Sequence, residues 1–140
     1  MKLEDLFTSA TSNSSFPVKR ADGTESGHTI SLRAPGDEQA ATALMRYLRL
    51  LKLIGSKFEQ ENSELKAECE AAQDFSEYNF KLELALSALK KAFAAELVTG
   101  WDFDNEFTGA ALTAALDGFP GLAQQVIDSH FAEIDAHQKK

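Results

Sequence analysis

The stretch at residues 75–98, FSEYNFKLELALSALKKAFAAELV, has the clearest structural pattern in the chain. Its large apolar residues recur at the three- and four-residue spacing of one helix face, and they are Phe75, Tyr78, Leu82, Leu86, Leu89, Phe93 and Leu97. This period predicts an amphipathic helix over 76–98, and Gly100 is a suitable residue to end it. Leu86, Leu89, Phe93 and Trp101 are expected to be buried together, because an amphipathic helix covers its apolar face with the rest of the domain.

A second apolar segment precedes this one. Asp37 can cap a helix and Glu38 favours its first turn, so a helix is predicted from there to about Phe58. Its apolar residues cover much of the circumference, which requires neighbours on more than one side, in the same domain or from another molecule. The predicted protein-binding residues are Leu44, Tyr47, Leu50, Leu51, Leu53 and Ile54.

The remaining segments complete the predicted fold. Residues 16–20 and 28–33 read as strands joined by a turn at Asp22-Gly23, which predicts a β-hairpin. Residues 59–74 are expected to be an exposed continuation of the preceding helix or a helical connector. Thr108 is predicted to cap a short helix to about Asp117, and Pro120 to lie in the first turn of the last helix. The fold class is therefore mainly α (α+β), a short N-terminal β-hairpin packed on a bundle of about four helices. We expect residues 1–15 to be a flexible leader and residues 16–140 to be a single helical domain with an N-terminal hairpin.

The composition narrows the classes of function. The 140 residues carry a net charge of −8, whereas a nucleic-acid-binding surface needs cations facing phosphates. No apolar run approaches the ~20 residues that cross a membrane, and Glu4 and Asp5 stand where a signal peptide is basic. One cysteine, Cys69, excludes an intrachain disulfide. We therefore expect no nucleic acid, no membrane and no secretion.

The charge is divided unevenly, with a net +2 over residues 1–57 and −10 over residues 58–140. Such asymmetry is typical of contacts between oppositely charged surfaces, although ordinary solvated helix faces explain it as well. Together with the apolar helix at 37–58, it predicts a homo-oligomer held by head-to-tail contacts. The alternative is that the hairpin and the 76–98 helix cover both sides of that helix within one molecule.

Candidate metal ligands are present in the sequence, but each set is incomplete. His130, Glu133 and His137 share one helix face, yet no second cluster completes a closed metal site. Asp102 and its acidic neighbours at 104 and 106 resemble the start of a calcium loop, but Phe107 stands where that loop needs glycine. We expect no metal site and a structural or solvent-exposed role for these residues, and alanine at His130 or His137 should be nearly neutral.

No catalytic arrangement is evident either. Cys69 lies between Glu68 and Glu70, which disfavour a thiolate. The glycines are scattered at turns and form no phosphate-binding loop. In the acidic loop after Gly100, Trp101 and Phe107 alternate inward with Phe103 and cover the core. The sequence therefore predicts no catalytic residue, no cofactor and no enzyme.

The order of motifs resembles that of the tail assembly chaperones of long-tailed bacteriophages. The resemblance covers roughly residues 16–136, and the matching motifs are VKRADGT at 18–24, APGD at 34–37, LVTGWDF at 97–103, FTGAAL at 107–112 and LDGFP at 116–120. One departure is that Asp37 and Glu38 replace the hydroxyl cap usual in this family.

The resemblance implies a small, largely helical protein made in the cytoplasm of the infected host. Proteins of this family bind the tape measure protein and help recruit tail tube subunits, and they are absent from the finished virion. The family has no catalytic residues. Two alternatives stay open at this stage, a structural virion component such as a neck or tail-completion protein, and an unrelated helical adaptor.

Overall fold

A computed structural model of the chain describes residues 14–138. The elements, in chain order, are β1 (Ser14–Lys19), β2 (Glu25–Leu32), α1 (Glu38–Glu61), α2 (Ser63–Ala72), α3 (Ser76–Leu97), β3 (Val98–Trp101), α4 (Gly109–Gly118) and α5 (Leu122–Gln138). The predicted α+β fold class is confirmed, with five helices over the described residues where about four were predicted.

The predicted hairpin is present and forms part of a three-stranded antiparallel sheet with the order β1-β2-β3. Gly23 adopts a φ of 87° in the turn, a conformation that favours glycine, and the Asp22 side chain accepts a hydrogen bond from the Thr24 amide at 2.9 Å. Ser14 and Ser15 belong to β1, where Ser14 pairs with Leu32 of β2. The prediction of a flexible leader is therefore wrong for residues 14 and 15. The rest of that leader lies outside the described residues.

The third strand of the sheet was not predicted. The predicted helix over 76–98 is one residue too long, because Val98 begins β3 and pairs with Leu32 of β2. A four-residue strand is too short to show an alternating pattern, and its partner lies more than 60 residues earlier in the chain. β3 therefore depends on tertiary pairing, which local sequence does not reveal.

The two long helices, α1 and α3, pack antiparallel. Tyr47 stacks on Phe93 with ring centroids 4.3 Å apart, and Phe58 meets Tyr78 edge to face at 5.1 Å. α1 continues through Gly55 and ends at Glu61, and most of the predicted connector forms α2. The predicted caps are confirmed, since Asp37 accepts from the Ala40 amide and Thr108 from the Ala111 amide.

The core lies where the sheet meets α1, α3, α4 and α5. Its largest fully buried side chains include Val18, Ile30, Leu32, Leu97, Val126 and Ile127. Phe93 belongs to this cluster, as predicted, and Leu89 and Trp101 pack against it but are half-buried instead of fully buried. Leu86 is buried but lies outside the cluster, so the prediction that all four pack together is wrong for that residue.

A pair of hydrogen bonds joins the first strand, β1, to the last helix, α5. The Lys19 amide donates to Gln125 Oε1 at 2.9 Å, and Gln125 Nε2 donates to the Lys19 carbonyl at 2.9 Å. The side-chain amide of α5 thus pairs with the end of β1 as a neighbouring strand would. It satisfies backbone groups that an edge strand otherwise leaves to solvent.

Candidate protein-binding surfaces

The six predicted protein-binding residues lie at different depths on α1. Tyr47 is buried against Phe93, so the prediction that it faces a partner is corrected: it is a core residue, and burial raises the pKa of its hydroxyl. Leu44 and Leu51 are partly buried against the core. Leu50 and Ile54 are half-buried, and Leu53 is 59% exposed. The accessible part of the predicted set is therefore centred on Leu53.

The solvent side of α1 carries further apolar residues. Met45 is 73% exposed and Leu48 is 47% exposed. Both belong to the broad apolar pattern of this helix, but periodicity alone does not show which side meets the core. Here the core side is marked by Ala40, Ala43 and Tyr47, so Met45 is turned outward.

Three cations stand among these exposed apolar residues. Arg46, Arg49 and Lys52 are exposed, and none forms an ion pair with another described residue. Lys57, by contrast, has its Nζ 3.8 Å from Glu61 Oε1. We call the set Met45, Arg46, Leu48, Arg49, Lys52 and Leu53 the outer face of α1. It is a basic and apolar surface on an acidic protein.

A second exposed apolar pair lies on α3. Phe80 is 65% exposed and Leu84, one helical turn later, is 60% exposed. Neither belongs to the stripe of Tyr78, Leu82 and Leu86 that identifies this helix in the sequence.

The acidic loop after β3 serves a structural purpose. Asp102 Oδ1 accepts a hydrogen bond from the Thr29 amide at 2.8 Å and lies 3.3 Å from His28 Nδ1. The Thr29 hydrogen bond is the main reason that the pKa of Asp102 is lowered. Trp101 donates from its indole nitrogen to the Asn105 carbonyl at 2.7 Å, and its ring packs on Phe107. The loop is therefore fixed to β2 and covers the core, as predicted.

His130 has a structural role in the core, one of the two roles expected for it. It is 1% exposed, and neither ring nitrogen has a hydrogen-bond partner among the described residues. Its ring meets Phe93 edge to face at 5.8 Å, and burial lowers its pKa. Because substitution here alters the core, we now expect alanine at His130 to destabilise the protein, in place of the near-neutral effect predicted from the sequence. Its position, four residues after Val126 and three after Ile127, is the signal in the sequence for this burial.

The remaining features concern metal ligands, the cysteine thiol and helix hydrophobicity in the described part of the chain. Among the described residues, no group of three or more His, Cys, Asp and Glu is placed to hold a metal ion. The His137 side chain lies outside the described part. Cys69 is buried in α2, which keeps its thiol from solvent. Between residues 14 and 138, no helix combines the length and the apolarity that crossing a membrane requires.

Comparison with known proteins gives one result. A family model described as phage tail assembly chaperone matches residues 24–140. Searches among the curated proteins and among the solved structures gave no significant match. The matched range holds β2, β3 and the helices α1 to α5, which include the outer face of α1. The chain therefore belongs to the phage tail assembly chaperone family.

Proposed function

We propose that this protein binds the tape measure protein during phage tail assembly, helps recruit tail tube subunits, and is absent from the mature virion. It acts in the host cytoplasm without catalysis. Membership of the tail assembly chaperone family supports a role with phage tail proteins. The observation that carries the finer proposal is the outer face of α1, where exposed apolar side chains alternate with cations that have no ion-pair partner among the described residues.

The composition of this face favours a helical client. Met45, Arg49 and Leu53 follow one another at four-residue spacing along one line of the helix, and Lys52 lies three residues after Arg49 beside that line. Such a line complements the apolar side of a second amphipathic helix, and its cations favour acidic residues flanking that side. A long helical protein offers many such segments. Half-buried Leu50 and Ile54 extend the apolar area toward the core.

A binding experiment with matched variants tests this surface. The tape measure protein is co-expressed with the wild-type chain, with Leu53→Asp or with Leu84→Asp, and complexes are captured through a tag on the tape measure protein. The two leucines are equally exposed, at 59% and 60%, on different helices. We expect Leu53→Asp to lower capture at least about tenfold, because a charge replaces a buried apolar contact. Loss with Leu84→Asp alone would move the site to α3.

Two further measurements address the other parts of the proposal. Adding tail tube protein to the captured complex should give a three-protein complex, and its failure to join would refute recruitment by this chain. Mass spectrometry of purified virions should not detect the chain. Its presence in stoichiometric amounts would instead favour a structural protein of the neck or tail end.

We also propose that the chain forms a homo-oligomer. The outer face of α1 is basic, whereas residues 58–140 carry a net charge of −10, so one molecule offers both surfaces of a head-to-tail contact. Light scattering should give a mass that rises with concentration up to about 100 µM and falls in a folded Leu53→Asp variant. A monomeric mass throughout that series would refute self-association.

A further inference from the structure

A cavity of about 480 Å³ lies between the hairpin, the loop after β3, and α4 and α5. Its walls are mainly apolar and include Val18, Trp101, Phe103, Ala115, Phe119 and Leu122. The volume is within the range of small binding sites in proteins, roughly 300–1,000 Å³. The cavity shares no residue with the outer face of α1, so it is a separate feature.

The walls of this cavity are held in place by contacts within the chain. The indole of Trp101 is fixed by its hydrogen bond to the Asn105 carbonyl, and Phe103 packs against both Trp101 and His28. Thr108 caps the helix that forms another wall. Because these groups already have partners, the cavity does not need to be assembled by its ligand, which lowers the entropic cost of binding.

Arg20 is the single charged residue that lines the cavity. Its side chain is exposed and forms no ion pair within the described part of the chain. The protein as a whole is acidic, so an unpaired guanidinium beside an apolar cavity defines a local preference for a carboxylate. An apolar group with a carboxylate next to it matches both features.

We propose that this cavity binds a bulky apolar side chain of a partner protein while Arg20 pairs with an aspartate or glutamate beside that side chain. The cavity is open to solvent on one side, so the partner's backbone stays outside while the side chain enters. A free fatty acid has the same two groups, but an open site leaves much of its chain in water, and small-molecule sites usually cover 70–90% or so of the ligand. This site is independent of the client surface on α1 and gives the protein a second point of attachment.

Trp101 provides a direct readout, because it lines the cavity and is the single tryptophan of the chain. The full chain is titrated with N-acetyl-Ala-Phe-Glu-Ala amide while tryptophan fluorescence is recorded. We expect a saturable change. Replacing the peptide's phenylalanine with alanine should weaken binding at least about tenfold. Replacing its glutamate with glutamine should weaken binding about 2- to 5-fold, because an exposed ion pair contributes little to affinity.

Two pairs of variants locate the binding. Arg20→Gln should bind the glutamate and glutamine peptides equally, whereas Lys19→Gln, which changes a neighbouring exposed residue outside the cavity, should keep the preference. Ala114→Leu fills the cavity from an exposed helix position and should abolish the change, whereas Ala110→Leu on the same helix should not. Circular dichroism confirms that each variant is folded.

Three results would overturn the proposal. The first is no saturable change with the phenylalanine-glutamate peptide on the wild-type chain. The second is an unchanged preference for glutamate in Arg20→Gln. The third is a saturable response to laurate without one to the peptide, which would assign the cavity to a lipid. Because none of these readouts involves the tape measure protein, they are distinguishable from a failure of the client surface on α1.

Discussion

Replacing His130 with leucine should stabilise the protein, although the residue is part of the core. The ring is buried, and both nitrogens lack a hydrogen-bond partner among the described residues. A neutral imidazole carries one donor and one acceptor, so two polar groups are left without compensation. Leucine has a similar size and keeps the apolar contacts with Phe93 without the buried polar atoms.

The magnitude follows from two opposing terms. A buried polar group without a partner costs about 1–3 kcal/mol, and an imperfect fit of an apolar replacement of similar volume costs less than about 1.5 kcal/mol. We therefore expect His130→Leu to raise the free energy of unfolding by about 0.5–2 kcal/mol at pH 7.5. His130→Gln keeps a donor and an acceptor in the same place and should give no such gain.

The dependence on pH gives a second, independent readout. Burial lowers the pKa of His130, and the charge of Glu133 one turn later opposes this only in part. As the pH falls below about 6.5, the unfolded chain therefore takes up a proton before the folded protein does. The wild type should lose stability in that window until the lowered folded pKa is reached, and this contribution should be absent from both variants.

Urea unfolding followed by circular dichroism at pH 7.5 and pH 5.0 measures both effects. The reasoning fails if the free energy of unfolding of His130→Leu is lower than that of the wild type by more than about 1 kcal/mol at an unchanged m-value. That result would mean that the ring nitrogens form stabilising hydrogen bonds in the folded protein. It also fails if the difference in stability between the two pH values is the same in the wild type and in both variants.

Three other substitutions test the fold. Phe93→Ala should cost about 3–5 kcal/mol in a urea melt, because the ring is central to the core, and a cost under about 1 kcal/mol would contradict that position. Asp37→Ala should remove the cap of α1 and cost about 0.5–2 kcal/mol in the same assay, with Asp37→Asn largely preserving stability. Gln125→Ala should cost about 0.5–1.5 kcal/mol and speed hydrogen exchange at the Lys19 amide, and an unchanged exchange rate would show that this contact does not persist.

The parts of the fold that follow from local sequence were predicted, and the parts that depend on distant neighbours were not. The hairpin has its turn residues at Asp22-Gly23, and α3 has a regular stripe that ends at Leu97. β3 has neither signal, because four residues acquire a strand conformation only by pairing with β2. Leu86 shows the same dependence on distant neighbours. The stripe correctly predicts that it is buried, but it lies outside the main core cluster.

For the proposed binding surface, the sequence drew attention to α1 but did not show which side of that helix is exposed. A helix that is apolar around most of its circumference carries little information about which side meets the core. Tyr47 and Met45 are two residues apart, and the packing of α3 decides that the first is buried and the second exposed. The cavity beside Arg20 was not predicted, because its walls come from two parts of the chain, residues 18–26 and residues 101–122, that are far apart in sequence.

The position of β3 has a consequence for how the protein emerges from the ribosome. β2 is complete at Leu32, but its second partner begins at Val98. At synthesis rates of about 5–20 residues per second, the intervening chain takes on the order of 3–13 s to make. During that interval the edge of β2 that later pairs with β3 has no native strand partner, and an isolated hairpin is only marginally stable. A protein that assists the assembly of others thus passes through its own aggregation-prone stage on every round of translation.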